Sequence, residues 1–179
     1  MKYSKSYINE LENYQKWNEV KCSLEHLWLT HKDNIEIASH LGCICWYVLV
    51  FWERIDNSTL DERDFIKTLT EVTEYGLISF TDKPEFLWKF GYMIKLFPYY
   101  FGDYEKWEKI GQQLIEKAHE LKPEDPVITM IYLNDDSLSE YKEACVKVSE
   151  QLPSRFSGTG VIDKYFRSVL NHIDKSNLS

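Results

Sequence analysis

Residues 84–123 read PEFLWKFGYMIKLFPYYFGDYEKWEKIGQQLIEKAHELKP. Two helices joined by a sharp aromatic turn account for the pattern. Pro84 suits a first helical position, where its missing N–H leaves no bond unmade. Leu87, Phe90, Ile94 and Phe97 recur at steps of three and four and mark the inner face of the first helix. Pro98 ends or kinks that helix, because its ring clashes with the preceding turn. Asp103 can cap the second helix by accepting from its unpaired first-turn amides. The second helix carries Trp107, Ile110, Leu114, Ile115, Ala118 and Leu121 on one side, and Pro123 and Pro126 close it. The stretch is a helical hairpin. The fold class it predicts is all-α, an array of antiparallel helical hairpins of the α-solenoid kind with about seven or eight helices.

The rest of the chain agrees. Its 179 residues suit one all-helical domain, predicted over 1–175 with a frayed polar tail at 176–179. Hydrophobic residues make up 44% and aromatics 15%, enough apolar surface to order most of the chain. Only seven Gly and five Pro interrupt it, too few for a many-turned β fold.

Residues 6–30 carry Ile8, Leu11, Tyr14, Trp17, Leu24, Leu27 and Trp28. They predict one amphipathic helix, or two end to end with a slip near Asn18. Asp33 or Asn34 can cap the next helix, expected over 35–55. That helix is apolar nearly all round between Leu41 and Trp52, which predicts the most buried element. A buried strand over CICWYVLVFW (43–52) is the alternative. A turn follows at 55–58, with Ser58 and Asp61 spaced as in a capping box. The helix expected over 59–75 turns Phe65, Leu69 and Val72 to one side, and Gly76 is its expected stop. Beyond the hairpin, a short helix is expected over 126–132, then a turn at 134–136. A helix capped by Ser137 should reach 152, followed by a loop at 153–160 and a last helix over 161–173. Leu41-Gly42 and Phe90-Gly91 form a weak internal repeat in which each Gly permits close helix approach.

Ala118-His119-Glu120-Leu121-Lys122-Pro123 resembles the end of a tetratricopeptide repeat, where a small residue is followed five later by Pro. Phe90-Gly91 is similar to that repeat's large-residue–Gly pair. The interval from Gly91 to Ala118 is several residues too long, and Gly111 stands where a second small residue falls. The resemblance covers one unit of about forty residues. It implies a tetratricopeptide-like scaffold that binds a peptide or protein. The family's basic ligand-binding residues have no aligned counterparts here.

Charge narrows the partner. The net charge is −8 and no basic run occurs, which argues against nucleic acid and anionic membrane. A basic protein partner suits it, although acidity also serves solubility alone. Cys22, Cys43, Cys45 and Cys145 form no spaced framework. Three of the four look like small core residues, reduced as in the cytoplasm. MKYSKSYINELENY lacks the apolar run of a secretory leader. Residues 41–52 are too short an apolar run to span a bilayer.

Catalytic and metal chemistry find little footing. Cys22 and His26 lie four apart on a helix, but no second pair has ligand spacing. There is no CxxC and no HExxH, so no metal or cofactor is predicted. No GxSxG elbow or similar signature occurs, and no catalytic residue is predicted. Ser157-Gly158-Thr159-Gly160 follows a helix rather than a strand, so it reads as a cap with Thr159 as N-cap rather than a phosphate loop. Arg155 and Phe156 beside it are docking candidates, with core packing of Phe156 as the alternative.

The remaining signals are acidic and aromatic. Glu53, Asp56, Asp61, Glu62 and Asp64 crowd one helix junction. Asp135, Asp136, Glu140 and Glu143 crowd another. Each group also suits a solvated helix N-terminus, where carboxylates favour the dipole. Tyr99, Tyr100, Phe101 and Tyr104 exceed what a turn needs. Aromatics anchor binding faces, so the predicted partner-binding set is Asp56, Asp61, Glu62, Asp64, Tyr99, Tyr100, Asp135, Asp136 and Glu140.

Two segments, RFSGTGVIDKYFRSVL (155–170) and IEKAHELKPEDP (115–126), resemble helical immunity proteins of bacterial contact-dependent or polymorphic toxin systems. That resemblance implies a cytoplasmic, non-catalytic protein. It would neutralise a basic toxin, often a nuclease, by covering its active site with acidic side chains. An adaptor or chaperone with an open concave groove is the second expectation. A helical enzyme with converging polar groups in an apolar pocket is the third.

Overall fold

The computed structural model describes residues 4–135 and 137–171. Among them nine α-helices follow one another: α1 (Lys5–Asn13), α2 (Trp17–Thr30), α3 (Ile35–Val50), α4 (Glu62–Ser79), α5 (Pro84–Leu96), α6 (Tyr104–Leu121), α7 (Pro126–Leu133), α8 (Ser139–Arg155) and α9 (Val161–Val169). Short 3-10 turns occupy Trp52–Arg54 and Pro98–Tyr100. No strand occurs among the described residues, so the 43–52 segment is helix and turn. No helix there is long and apolar enough to cross a membrane. The tail at 176–179 and Asp136 lie outside the described residues.

Caps explain most boundaries. Asn34 accepts from Glu36 and Ile37, Asp103 from Lys106, and Asp125 from Val127 and Ile128. Each satisfies amides that the first helical turn leaves unpaired. Pro84 and Pro126 both open helices.

Several boundaries differ from the sequence reading, among them the end of α3, which stops at Val50 rather than 55. The first expected helix breaks at 14–16 rather than at Asn18, with Gln15 in the left-handed region at φ 54°. The break makes Trp17 the first residue of α2, buried with its ring 5.6 Å from Tyr47. Helix α4 starts at Glu62 rather than 59, because Ser58 is engaged by Asp56 and Asp61 caps alone. Gly76 does not stop α4. It lies inside the helix, where a Cβ would fall 2.0 Å from the Phe86 ring, so smallness is what the position requires. Helix α8 starts at Ser139, because the Ser137 hydroxyl donates to Asp135 instead of capping, and it runs through Pro153 to Arg155. Pro153 removes only a last-turn bond there. Helix α9 ends at Val169 rather than 173, and Gly160, not Thr159, is its cap residue.

Most consecutive helices pack as hairpins, the α4–α5 and α8–α9 steps excepted, with α3 at the centre. Helices α2, α4 and α5 all pack on it. Leu41, Ile44, Cys45 and Val48 of α3 are fully buried, which is why the helix is apolar all round. Helix α9 turns back from the far end of the chain and packs on α1 and α3. Its Phe166 lies 5.5 Å from Trp88 of α5 and stacks on Phe156 at 5.2 Å. The array is therefore closed by its own last helix.

The opening hairpin, α5 with α6, meets through glycines. A Cβ on Gly91 would lie 3.0 Å from the Gly111 carbonyl oxygen and 2.7 Å from Ile115. A Cβ on Gly111 would lie 3.1 Å from the Lys95 nitrogen. Backbone cannot yield as a flexible side chain does. Gly91→Ala and Gly111→Ala should each destabilise the chain by about 1–3 kcal/mol in urea titrations, the cost of forcing a well-packed contact apart. A neutral or stabilising Ala at both sites would contradict this packing.

Candidate functional site

The turn after α5 holds a cluster of aromatic rings with an open edge. Tyr99 is 55% exposed, and its ring lies 4.5 Å from Tyr100 at a tilt of 48°. The Tyr100 hydroxyl donates to the Leu49 carbonyl at the end of α3, 2.7 Å away. That bond ties the turn to the α3 C-terminus, where carbonyls carry the negative end of the helix dipole. Burial, the bond and charge of Tyr99, and the charge of Glu62 together push the Tyr100 phenol up to about 12. Phe101, by contrast, is buried against Trp107.

Rings extend from this corner across the molecule. Phe97 stands 5.9 Å from Tyr99 and 5.9 Å from Trp46. Trp46 is buried and forms the floor, with Tyr165 of α9 5.6 Å away. Tyr165 faces Tyr47 at 5.8 Å and Phe51 at 6.1 Å. Phe97, Tyr100, Tyr47, Phe51 and Tyr165 are all half-buried. The result is a continuous aromatic face over α3, the 97–101 turn and α9. Buried aromatic bodies with open edges give large contact area at little conformational cost.

The predicted acids fall into two places. Asp56, Asp61, Glu62 and Asp64 lie at the junction of α3 and α4, at the same end as Tyr99 and Tyr100. Asp135 and Glu140 lie on the α7–α8 hairpin. Several have internal duties. Asp56 accepts from the Ser58 amide and hydroxyl, and Asp135 does the same for Ser137; both carboxyls are held below their usual range by those bonds. Asp61 caps α4. Asp64 pairs at 2.7 Å with Lys21, which is buried and also meets Glu25 and Thr68. Burial alone would lower the Lys21 pKa, but Asp64 and Glu25 outweigh it and hold it above the ordinary value. Glu62 is exposed, as is Glu140. Glu140 helps line a shallow cleft of about 390 Å³ with His119, Glu124, Glu143 and Lys147.

Three of the four cysteines are buried, and Cys22 is exposed on α2 beside the exposed His26. Among the described residues no group of three His, Cys, Asp or Glu could hold a metal ion. Arg155 is not a docking residue. It lies inward against Asp125 at 2.6 Å and Glu85 at 2.5 Å. Phe156 is core.

A polar cluster at α1, α3 and α9 has no counterpart in the sequence reading. Glu12 is fully buried, with one oxygen 2.6 Å from His40 Nε2. Its other oxygen accepts from the Ile162 amide at 3.0 Å, and so caps α9 from a distant helix. Beside it lies a cavity of about 80 Å³, lined in part by Ser39, His40, Cys43, Lys89 and Asp163. The Ser39 hydroxyl is buried without a partner. Burial pushes the Cys43 thiol up to about 12, so it stays protonated at neutral pH and is no thiolate nucleophile. One signal was visible: Glu12 shares the inner stripe of α1 with Ile8 and Leu11.

No family model, curated protein or solved structure matches the chain.

Proposed function

We propose that the chain is a non-catalytic protein-binding module, an immunity protein that neutralises a basic, nuclease-type toxin domain by covering its active site. The observation that carries this reading is the half-open aromatic face with Tyr99 at its edge, in a chain of net charge −8. Aromatic rings supply the anchoring contacts and carboxylates the long-range attraction. A groove that holds nucleic-acid phosphates is itself basic, so an acidic surface competes for the same ground. The resemblance of 115–126 and 155–170 to helical immunity proteins points the same way. Helix α9 packs against α3 and brings Phe166 onto Trp88 of α5.

The test pairs the purified protein with the toxin domain encoded directly upstream. A one-to-one complex should abolish nuclease activity. Raising salt from about 0.05 to 0.5 M should weaken association by an order of magnitude or more, as screening removes the steering field. Combining Tyr99→Ala with Glu62→Lys should weaken binding about 100-fold, the scale of a lost hot spot. Full toxin activity in the presence of excess protein would sink the reading.

A further inference from the structure

We infer that the corner formed by Tyr99, Tyr100 and Glu62 receives an arginine side chain of the partner. The inference rests on the protein-binding reading for its biological occupant. Three features converge on a planar cation. Tyr99 leaves more than half its surface open, and its ring is propped on Tyr100 rather than free to collapse. Tyr100 is itself anchored to the Leu49 carbonyl, so the platform is preorganised. The third feature is charge. The corner stands at the C-terminal end of α3, which has no basic residue in its last turn. Helices α3 and α4 pack as a hairpin, which brings the exposed Glu62 at the start of α4 to that same end.

A guanidinium can lie flat on a tyrosine ring while its edge donates to a carboxylate. An ammonium cannot do both from one plane. The neighbouring acids do not compete for this role, since Asp61 caps α4 and Asp64 pairs with Lys21. Two exposed cations lie near the corner, Arg54 in the connecting segment and Arg63 next to Glu62.

The probe is a fluorescein-labelled peptide of alternating Gly and Arg, compared with Gly-Lys and Gly-citrulline versions by anisotropy. The Arg peptide should bind, the Lys peptide several-fold more weakly, and the citrulline peptide not at all. Tyr99→Ala and Glu62→Gln should each weaken Arg-peptide binding about fivefold, the scale of a cation–π contact at an exposed site. Glu150→Gln, exposed on α8 and outside the candidate set, should leave it unchanged. Glu62→Gln alters no packed group, so its result stands even if Tyr99→Ala perturbs the turn. Equal affinity for Arg and Lys peptides, or an equal loss with Glu150→Gln, would overturn the assignment in favour of diffuse charge. Toxin neutralisation without peptide binding would overturn the arginine receptor alone. Peptide binding without any toxin neutralisation would overturn the immunity reading alone.

Discussion

Glu12→Ala should lower stability by about 3–5 kcal/mol, the range for removing one partner of a buried polar pair. In a chain of this size that corresponds to a fall in thermal midpoint of roughly 6–20 °C, measured by far-UV circular dichroism. The loss is large because one carboxylate does two jobs. It accepts from His40 of α3 and from the Ile162 amide that opens α9. Truncation leaves the buried Ile162 amide without its acceptor and takes from His40 its carboxylate partner, and a buried donor without its acceptor bears its full desolvation cost. The damage should centre on α9, whose N-terminus has no side-chain cap of its own. Glu12→Gln should cost about half as much, because its amide oxygen still accepts one bond. Combining Glu12→Ala with His40→Ala should cost less than the sum of the two, since the pair shares one interaction. A loss under 1 kcal/mol for Glu12→Ala would show that α9 is held by its aromatic contacts alone.

Arg155→Ala should cost about 3 kcal/mol at neutral pH, again because a buried charge loses its partner. Arg155 joins three helices. It meets Asp125, the cap of α7, through both carboxylate oxygens at 2.6 and 2.8 Å. It also meets Glu85 of α5, whose other oxygen accepts from the buried Trp88 indole at 3.0 Å. The effect carries a pH signature. Burial by itself would raise the Asp125 carboxyl, but Arg155, the Ile128 amide and Lys122 outweigh it and hold it below the ordinary value. A carboxyl whose folded pKa lies below its unfolded one stabilises the fold at pH above the unfolded value of about 4. That contribution disappears as pH falls through the lower, folded value. The gap between Arg155→Ala and the parent should therefore be widest at neutral pH and narrow below about pH 4 in urea titrations. A gap independent of pH would assign the loss to the contact of the Arg155 guanidinium with the Trp88 ring instead.

Both predictions rest on contacts that local sequence patterns do not reveal. Periodicity, caps and prolines act within a few residues, and part of what they announced is present: the opening hairpin, the Asn34 and Asp103 caps, and the burial of α3. The candidate face was legible in part. Tyr99 and Tyr100 stood out as surplus aromatics in a turn, and Glu62 as one of an acidic group. Which acids were already engaged was not legible. Asp64 looks solvated until Lys21, forty-three positions earlier, is folded against it. Gly76 read as a stop because glycine ends helices more often than it makes room for a ring, and the ring that needs the room belongs to Phe86 on the next helix.

By itself, then, the sequence determined where helices form, which faces they bury and that the chain is an array of hairpins, because each of these follows from side chains one or two turns apart. Only the tertiary structure decided that α9 folds back to close the array, that Glu12 caps it, and that rings from α3, the 97–101 turn and α9 merge into one face. Residues up to 158 positions apart, Lys5 and Asp163, meet where α9 closes the array. Their pairing depends on the summed burial of the whole core, which no local pattern encodes.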